Sequence, residues 1–261
     1  VRSEIGELEG VILHTPGKEV ENMTPKNAER ALYSDILNLS VAQKEYAQLS
    51  GVLNKLTKTF QVQDLLTDIL KNEKVKENLL HKICSNEDKC SIIKHLQALN
   101  PEQLSTKLIE GVIEEKNTLT RYLSKERYSL RPLHNFFFTR DAAMSVLDDV
   151  LIGRMANQVR DRESIIMEAI FDYHEQFLTK TVNPSESRHF SNETSIEGGD
   201  VLVARDDILC IGTGSRTTSQ GIDFILERLQ AQKEKNRHII VQELPYKPES
   251  FIHLDMVFTF L

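Results

Sequence analysis

The sequence predicts an α/β fold in which strand–strand–helix–strand units repeat and a bundle of short helices is inserted. Two similar segments, residues 146–153 and 203–212, each place two apolar strands around an Asp-Asp turn, and a helical pattern follows each of them. Between residues 64 and 116, glycine is nearly absent and leucine recurs at helical spacing. Repetition of such a unit implies radial or stacked packing rather than a doubly wound sheet.

The N-terminal part is predicted to begin with a strand. The apolar run at residues 10–13 predicts a short buried strand, which the turn Pro16-Gly17 ends. A helix from about residue 43 follows from an apolar series at helical spacing, namely Tyr46, Leu49, Leu53, Leu56 and Phe60. Residues 59–65 then predict a second strand.

A small bundle of short helices is predicted over residues 64–116. Asn100-Pro101 is typical of a helix start, because an asparagine side chain caps the first turn and proline suits the first helical position. The apolar face of that helix continues through Leu104, Leu108 and Val112. We therefore expect one α/β domain formed by residues 1–63 and 117–261, with a helical insertion whose role is packing.

The second half of the chain continues the repeats. Helices are expected at about residues 161–177 and 217–233, and a strand at residues 238–241 follows the second helix. The motif His253-Leu254-Asp255 leads into an apolar run at residues 256–258, which predicts a further strand. Because alternate residues of a strand face the same side, His253 and Asp255 would share one face.

Composition and charge exclude several classes of protein. A net charge of −7 in 261 residues argues against binding to nucleic acid, whose backbone demands a basic surface. No apolar run approaches the ~20 residues that a membrane helix needs. The three cysteines, Cys84, Cys90 and Cys210, are odd in number and lack the spacing of a zinc site. We therefore expect a reduced, cytoplasmic protein without membrane or nucleic-acid partners.

Three acidic motifs contain the residue types that a guanidinium-binding site requires. They are Phe138-Thr139-Arg140-Asp141, Glu197-Gly198-Gly199-Asp200 and His253-Leu254-Asp255. A guanidinium group is planar and permanently charged, and carboxylates match its N–H donors in pairs. Histidine can donate and accept protons near neutral pH.

Each motif taken alone also has a purely structural explanation. Asp141 suits a salt-bridge partner of Arg140, and the paired glycines before Asp200 suit an ordinary turn. His253 suits a hydrogen-bonded histidine at a strand end. The loop at residues 212–218 is glycine-rich and lacks the Gly-Lys ending of a phosphate-binding loop, so Arg216 fits a substrate carboxylate better than a phosphate.

In their order and spacing, these segments resemble those of arginine deiminases. The similarity includes Asn135, Arg160 and Arg216-Thr217-Thr218 beside the three acidic motifs, the opening segment at residues 7–17, and the helical insertion. It extends over essentially the whole chain. The resemblance implies that the repeats form a partial α/β propeller and that the reaction is hydrolysis of L-arginine to L-citrulline and ammonia.

The resemblance also implies a role for each site residue. Asp141 and Asp255 would hold the guanidinium, and His253 would be the general acid and base, with Glu197 hydrogen-bonded to it or to the substrate. Asn135, Arg160 and Arg216 would hold the amino-acid end, chiefly its α-carboxylate, and Phe138 would be a further substrate-binding residue. No metal or organic cofactor is implied, and a homo-oligomer is expected.

The family's nucleophile is a cysteine close to the C-terminus, and none of the three cysteines here has a matching context. Cys84 and Cys90 lie in the helical insertion, and Cys210 lies in a predicted strand as a small apolar residue. The chain ends at Leu261 inside an apolar run. We therefore expect the N-terminal part of a longer enzyme, inactive by itself, whose covalent intermediate forms on a cysteine beyond residue 261.

Two other functions fit the same residues. An amidinotransferase or an agmatine deiminase would use a similar scaffold, although Arg160 and Arg216 favour a substrate that keeps its α-carboxylate. A non-catalytic arginine-binding protein would keep the binding residues without the nucleophile. Binding and turnover assays separate these possibilities.

Overall fold

A computed structural model describes residues 1–21, 36–177, 179–188, 190–231 and 236–261. The chain divides into two compact units, one comprising Leu8–Thr139 and the other comprising Val1–Glu7 with Arg140–Leu261. The predicted domain boundaries, after residue 63 and before residue 117, differ from this division and stay a prediction. Among the helices in the described ranges, none has both the length and the apolar character needed to span a membrane.

The unit Leu8–Thr139 is mainly helical. Strand β1 (Gly10–Leu13) pairs in parallel with β2 (Lys58–Gln61), and β3 (Val112–Ile113) pairs antiparallel with β4 (Tyr128–Leu130). The described helices of this unit are Lys18–Glu21, Leu39–Leu56, Val62–Ile69, Glu73–Asn86, Ile93–Gln97, Pro101–Glu110 and Leu119–Leu123. The predicted strand at residues 10–13 and the helix predicted from about residue 43 are confirmed.

The short helices predicted over residues 64–116 are present, with their apolar faces turned inward. The Asn100 side chain accepts a hydrogen bond from the Gln103 N–H at 2.8 Å, which is the predicted helix start. The leucines at the helix contacts are fully buried, among them Leu66, Leu80, Leu104 and Leu108. Each such side chain contributes about 1.5–3 kcal/mol to stability by leaving water.

Two predicted boundaries in this unit are wrong. The second strand ends at Gln61 rather than near residue 65, because Val62 begins a helix whose apolar residues recur at helical spacing. Val112 does not continue the preceding helix. Gly111 ends that helix with φ of 86°, a conformation that favours glycine, and Val112 enters β3.

The other unit contains two copies of one topology. In the first copy, β5 (Ala143–Val146) and β6 (Asp149–Ile152) form an antiparallel hairpin, helix Asp161–Tyr173 follows, and β7 (Thr181–Val182) pairs in parallel with β6. In the second copy, β8 (Val201–Arg205) and β9 (Ile208–Thr213) form the hairpin, helix Ser219–Ala231 follows, and β10 (His238–Glu243) pairs in parallel with β9. The predicted strand–strand–helix–strand repeat is therefore confirmed for these two copies.

The two copies share one apolar core. It contains Met144 and Leu151 from the first hairpin, Val203 and Ile211 from the second, and Ile225 from the second helix. The first helix ends at Tyr173, earlier than predicted, because His174 adopts an extended conformation. The predicted end of the second helix at Lys233 lies outside the described residues.

The predicted strand at residues 256–258 is wrong. Leu254–Met256 forms a turn of 3-10 helix, and the Phe258 N–H donates to the Leu254 carbonyl at 2.9 Å. The Leu254 N–H donates to the Asp200 carboxylate at 2.9 Å. These bonds turn the backbone and use groups that a strand would need for pairing. His253 and Asp255 therefore do not share the face of a strand.

Candidate active site

Turns at the ends of strands carry the predicted site residues of the Arg140–Leu261 unit. Asp141 lies in the short helix Thr139–Ala142 directly before β5, and Glu197 precedes the turn Gly198–Asp200 that leads into β8. His253 precedes the turn Leu254–Met256. Arg160 lies immediately before helix Asp161–Tyr173, and Arg216 lies in the loop between β9 and helix Ser219–Ala231.

Asp141, Glu197 and His253 converge in the interior of the unit. The His253 Nε2 and Glu197 Oε2 atoms are 3.0 Å apart, and His253 Nδ1 lies 3.8 Å from Asp141 Oδ1. One side-chain atom from each of the three residues falls within 4.8 Å of the others. Glu197 is 0% exposed and the other two are 6% exposed. An imidazole thus lies between two buried carboxylates.

The backbone around Gly199 makes this approach of the imidazole possible. The Gly199 N–H donates to Asp141 Oδ1 at 3.2 Å. A Cβ atom at Gly199 would lie only 2.8 Å from the His253 ring, closer than side-chain contacts allow. The glycine therefore brings one backbone against both the carboxylate and the imidazole.

Arg160 is surrounded by carboxylates. Its Nη1 donates to Asp141 Oδ2 at 2.8 Å and lies 3.6 Å from Glu197 Oε2. Its Nε and Nη2 donate to Glu163 Oε2 at 3.1 and 2.8 Å. The side chain is 5% exposed. A guanidinium is therefore already bound among the buried carboxylates of this site.

The electrostatic environment holds His253 and Glu197 as an ion pair. Burial alone lowers the pKa of His253, but the hydrogen bond to Glu197 and the charges of Asp141, Glu197 and Asp200 outweigh it and raise the pKa above its ordinary 6.5. Burial raises the pKa of Glu197, but the His253 hydrogen bond and Arg160 lower it by more. The imidazole is thus kept protonated to a higher pH than a free histidine and can donate a proton near neutrality.

Arg216 and Asp255 lie near the buried group formed by Asp141, Glu197 and His253. Arg216 Nη1 is 3.9 Å from Glu197 Oε1, and the side chain is 15% exposed, so it borders the site and still meets solvent. Asp255 is exposed, and its pKa is raised above the ordinary 3.8. Desolvation raises its pKa, the charge of His253 lowers it, and the charge of Asp141 raises it.

Asn135 and Phe138 belong to the other compact unit. Asn135 is buried and its carbonyl accepts a hydrogen bond from the Phe138 N–H at 2.9 Å, whereas the Phe138 side chain is 48% exposed. Their predicted roles in substrate binding stay predictions. The roles predicted for Asp141, Glu197, His253, Asp255, Arg160 and Arg216 are likewise proposals that the geometry supports.

Two buried residues of the site were not assigned a role from the sequence. Glu163 is fully buried against Arg160, which lies three positions earlier at the start of the helix, and this i, i+3 spacing of opposite charges is a visible signal. Asp200 stands in the motif Glu197–Asp200, and its sequence context indicates no task of its own. Its carboxylate contacts Leu254, and no local spacing in the sequence reveals a contact between residues so far apart.

The cluster of Asp141, Glu197 and His253 also has the composition of a cation site. The positive charge that such a cluster needs is supplied by Arg160, whose Nη1 contacts Asp141 and approaches Glu197. A divalent ion would have to displace that guanidinium. The arrangement therefore fits an organic cation better than a metal ion.

Replacing Glu163 by glutamine is expected to flatten the dependence of stability on pH. Burial raises the pKa of Glu163 from its ordinary 4.5 to about 7, although Arg160 opposes the rise. Between these values the native state binds more protons than the unfolded chain, so the free energy of unfolding falls as the pH rises through this range. Glutamine cannot titrate, so this part of the slope disappears.

Urea unfolding of both proteins between about pH 5 and pH 8 measures the slope. Glu168→Gln on the same helix is the matched control and keeps the slope of the parent protein. An unchanged slope in Glu163→Gln contradicts the assignment.

Comparisons with known proteins agree with the resemblance. A family model described as "Arginine deiminase" matches residues 29–261. The arginine deiminase of a Bacillus cereus strain is 33% identical over 273 residues, covering 99% of this chain and 66% of that protein. The arginine deiminase of Pediococcus pentosaceus is 33% identical over 276 residues, covering 100% of this chain and 66% of that protein. The chain thus spans about two thirds of the length of these relatives.

A solved structure supports the α/β architecture. An amidinotransferase from Microseira wollei, of the saxitoxin biosynthetic pathway, superposes with a TM-score of 0.51 at 12% identity. The match covers 98% of this chain and 64% of that one. At this identity the similarity concerns the fold alone.

Proposed function

The chain belongs to the arginine deiminase family, and from this membership we propose that the whole protein hydrolyses L-arginine to L-citrulline and ammonia. The observation that carries the proposal is the buried group of Asp141, His253 and Glu197. It combines carboxylates that can bind a planar cation with an imidazole that can move protons. No other residue type in the site is needed for these two tasks.

Recognition of the guanidinium is assigned to Asp141 and Asp255. The guanidinium of Arg160 already donates to Asp141 at 2.8 Å, which supports the complementarity of this carboxylate to such a cation. The substrate guanidinium would compete for Asp141. Arg160 would then turn from Asp141 toward the substrate α-carboxylate, as the resemblance implies, while Glu163 continues to bind the other edge of the Arg160 guanidinium.

Proton transfer is assigned to His253. A cysteine thiolate attacks the guanidinium carbon, and protonated His253 gives its proton to the nitrogen that leaves as ammonia. A thiouronium intermediate remains on the cysteine. Neutral His253 then takes a proton from water, whose oxygen attacks the same carbon. The adduct collapses to citrulline and the cysteine thiolate, and its remaining hydroxyl proton passes to solvent, where the released ammonia becomes ammonium. Glu197 stabilises the protonated imidazole through the 3.0 Å contact.

The nucleophile is proposed to lie outside these 261 residues. Cys84 is buried and Cys90 directs its thiol to the Cys84 carbonyl, both within the Leu8–Thr139 unit. Cys210 packs beside Leu202, Leu244 and Leu254, and burial raises the pKa of its thiol. A neutral thiol in an apolar cluster is a poor nucleophile. The 261-residue chain by itself is therefore proposed to be inactive.

Other features of the whole protein are proposed on the family resemblance. The two repeats would form part of an α/β propeller, with residues 1–63 and 117–261 as the catalytic domain and residues 64–116 as its insertion. A homo-oligomer is expected. A cytoplasmic location fits the three cysteines, which are all free thiols.

The proposal is tested by measuring citrulline formation from L-arginine by the whole protein. We expect turnover with arginine, and a decrease of about 10²–10⁴-fold in kcat for His253→Ala, because proton transfer contributes this much. Asp148→Asn at an exposed turn is the control and keeps the parent rate. The 261-residue chain alone is expected to form no citrulline.

Substrate choice separates the related functions. Arg216 and Arg160 are expected to favour arginine over agmatine, which lacks the α-carboxylate. Faster turnover of agmatine, or transfer of the amidino group to an amine, would replace the proposal by one of its relatives. Calorimetric binding of arginine without turnover in the whole protein would favour a non-catalytic arginine-binding protein.

A further inference from the structure

Asp200 is a buried carboxylate to which the proposed mechanism assigns no task. It is 0% exposed and ends the turn Gly198–Asp200 that follows Glu197. Burying an ionisable side chain completely costs several kcal/mol unless its hydrogen bonds are satisfied. We therefore expect the buried Asp200 carboxylate to have a hydrogen-bonding task beside the site.

The carboxylate of Asp200 holds the backbone next to His253. Its Oδ1 accepts a hydrogen bond from the Leu254 N–H at 2.9 Å. Leu254 follows His253 directly and begins the turn that carries Asp255. A bond to this amide restrains the φ angle of Leu254 and hence the direction in which the preceding imidazole projects.

Asp200 is also hydrogen-bonded to the segment that carries Glu197. The Asp200 N–H donates to the Glu197 carbonyl at 3.1 Å, which closes the turn between them. The Thr217 hydroxyl faces the Asp200 carboxylate and accepts a hydrogen bond from the Glu197 N–H at 3.2 Å. Asp200 thus joins the backbone behind His253 to the backbone behind Glu197.

We propose that Asp200 is a positioning residue, which fixes the His253 imidazole against Glu197 by holding the Leu254 amide. The inference deepens the proposed function, since the His253–Glu197 contact is assigned to proton transfer there. Asp200 itself does not touch the substrate in this scheme. Its effect on the reaction passes through the 3.0 Å contact between His253 Nε2 and Glu197 Oε2.

The protonation state of Asp200 agrees with this task. Burial raises its pKa to about 6, while Thr217, the charge of His253 and the Leu254 N–H oppose the rise. The carboxylate is therefore ionised at neutral pH. An ionised acceptor forms a stronger hydrogen bond with an amide than a neutral one.

Two substitutions disturb the hydrogen bond between the Asp200 carboxylate and the Leu254 amide in different ways. Asp200→Ala removes the acceptor. Gly212→Ala leaves Asp200 in place but puts a methyl group 2.4 Å from its Oδ1 and 3.0 Å from the Leu254 Cβ, which forces the carboxylate and the Leu254 amide apart. Asp200→Asn keeps a side-chain oxygen at the same distance from the backbone and is expected to retain the hydrogen bond with the Leu254 amide.

The first measurement is made on the 261-residue chain by NMR. A slowly exchanging His253 Nε2 proton, bonded to Glu197, is expected in the parent and in Asp200→Asn, together with a protected Leu254 amide. Both signals are expected to be lost in Asp200→Ala and Gly212→Ala. The control is Val203→Ala, a cavity in the apolar core of the same unit, which lowers stability but leaves both signals unchanged.

The second measurement is made on the whole protein. Asp200→Ala and Gly212→Ala are expected to lower kcat for arginine at least about tenfold with little change in KM, whereas Asp200→Asn stays within about threefold of the parent. Retention of both NMR signals in the folded Asp200→Ala or Gly212→Ala protein overturns the proposal, as does their loss in Val203→Ala. Absence of arginine turnover in the parent would refute the proposed function, and the NMR comparison would still decide the role of Asp200.

Discussion

Replacing Arg160 by methionine is expected to destabilise the protein by about 3–5 kcal/mol, the usual cost of removing one partner from a buried ion pair. Arg160 contacts Asp141 at 2.8 Å, Glu163 at 2.8 Å and Glu197 at 3.6 Å, and its side chain is 5% exposed. Methionine matches the length of the aliphatic stem but leaves these carboxylates without their cation. Urea unfolding at neutral pH measures the loss.

Arg154→Met is the matched control. Arg154 lies in the same unit and its Nη1 is 3.7 Å from Asp161, but its side chain is 36% exposed. The Asp161 side chain is buried, but water screens the charge of the exposed Arg154, so the control is expected to lose clearly less stability than Arg160→Met. Equal losses in the two single variants would contradict the central place of Arg160 in the ion-pair network.

Adding a methyl group at Gly199 is expected to lower arginine hydrolysis by the whole protein about 10²-fold or more, the effect of a misplacement of about 1 Å in a catalytic group. The Cβ of Gly199→Ala would lie 2.8 Å from the His253 ring, so the ring must move from Glu197. The His253 pKa is then expected to fall toward 6.5, because the hydrogen bond that raises it is weakened. Citrulline assays and an NMR titration of the imidazole measure the two effects.

Gly6→Ala adds the same methyl group in the same unit without this contact. Its Cβ would have Ser3 O as its nearest neighbour at 3.6 Å, an ordinary separation. The rate and the His253 pKa are expected to match those of the parent protein. If Gly199→Ala also retains both, the imidazole does not depend on the close approach of the Gly199 backbone.

Much of the site could be predicted from the sequence because its residues stand in short motifs. Asp141, Glu197 and His253 were each selected from a motif, and the structure brings their side chains within 4.8 Å of one another. The two hairpin-and-helix repeats were predicted from local patterns, namely apolar strands around Asp-Asp turns followed by helical spacing. These features depend on neighbours in sequence, and local patterns suffice for them.

The errors occurred where distant contacts decide the local conformation. The apolar run at residues 256–258 predicted a strand after His253, but the Asp200 carboxylate binds the Leu254 amide and the backbone forms a turn. Arg160 was predicted from the resemblance to bind a substrate carboxylate. That role stays a proposal, and the contacts of its guanidinium with Asp141 and Glu163 are visible only in the folded structure. The charge balance of a buried cluster depends on all its members at once.

The linear order of residues determined the strand–strand–helix–strand repeats, the helical insertion and the choice of acidic motifs, because periodicity, capping and turn chemistry act over a few residues. Tertiary structure alone decided that His253 reaches Glu197 from a turn, that Gly199 makes room for the imidazole, and that Asp200 holds Leu254. Burial in an interior of low polarity makes each of these contacts strong, and burial is a property of the folded chain.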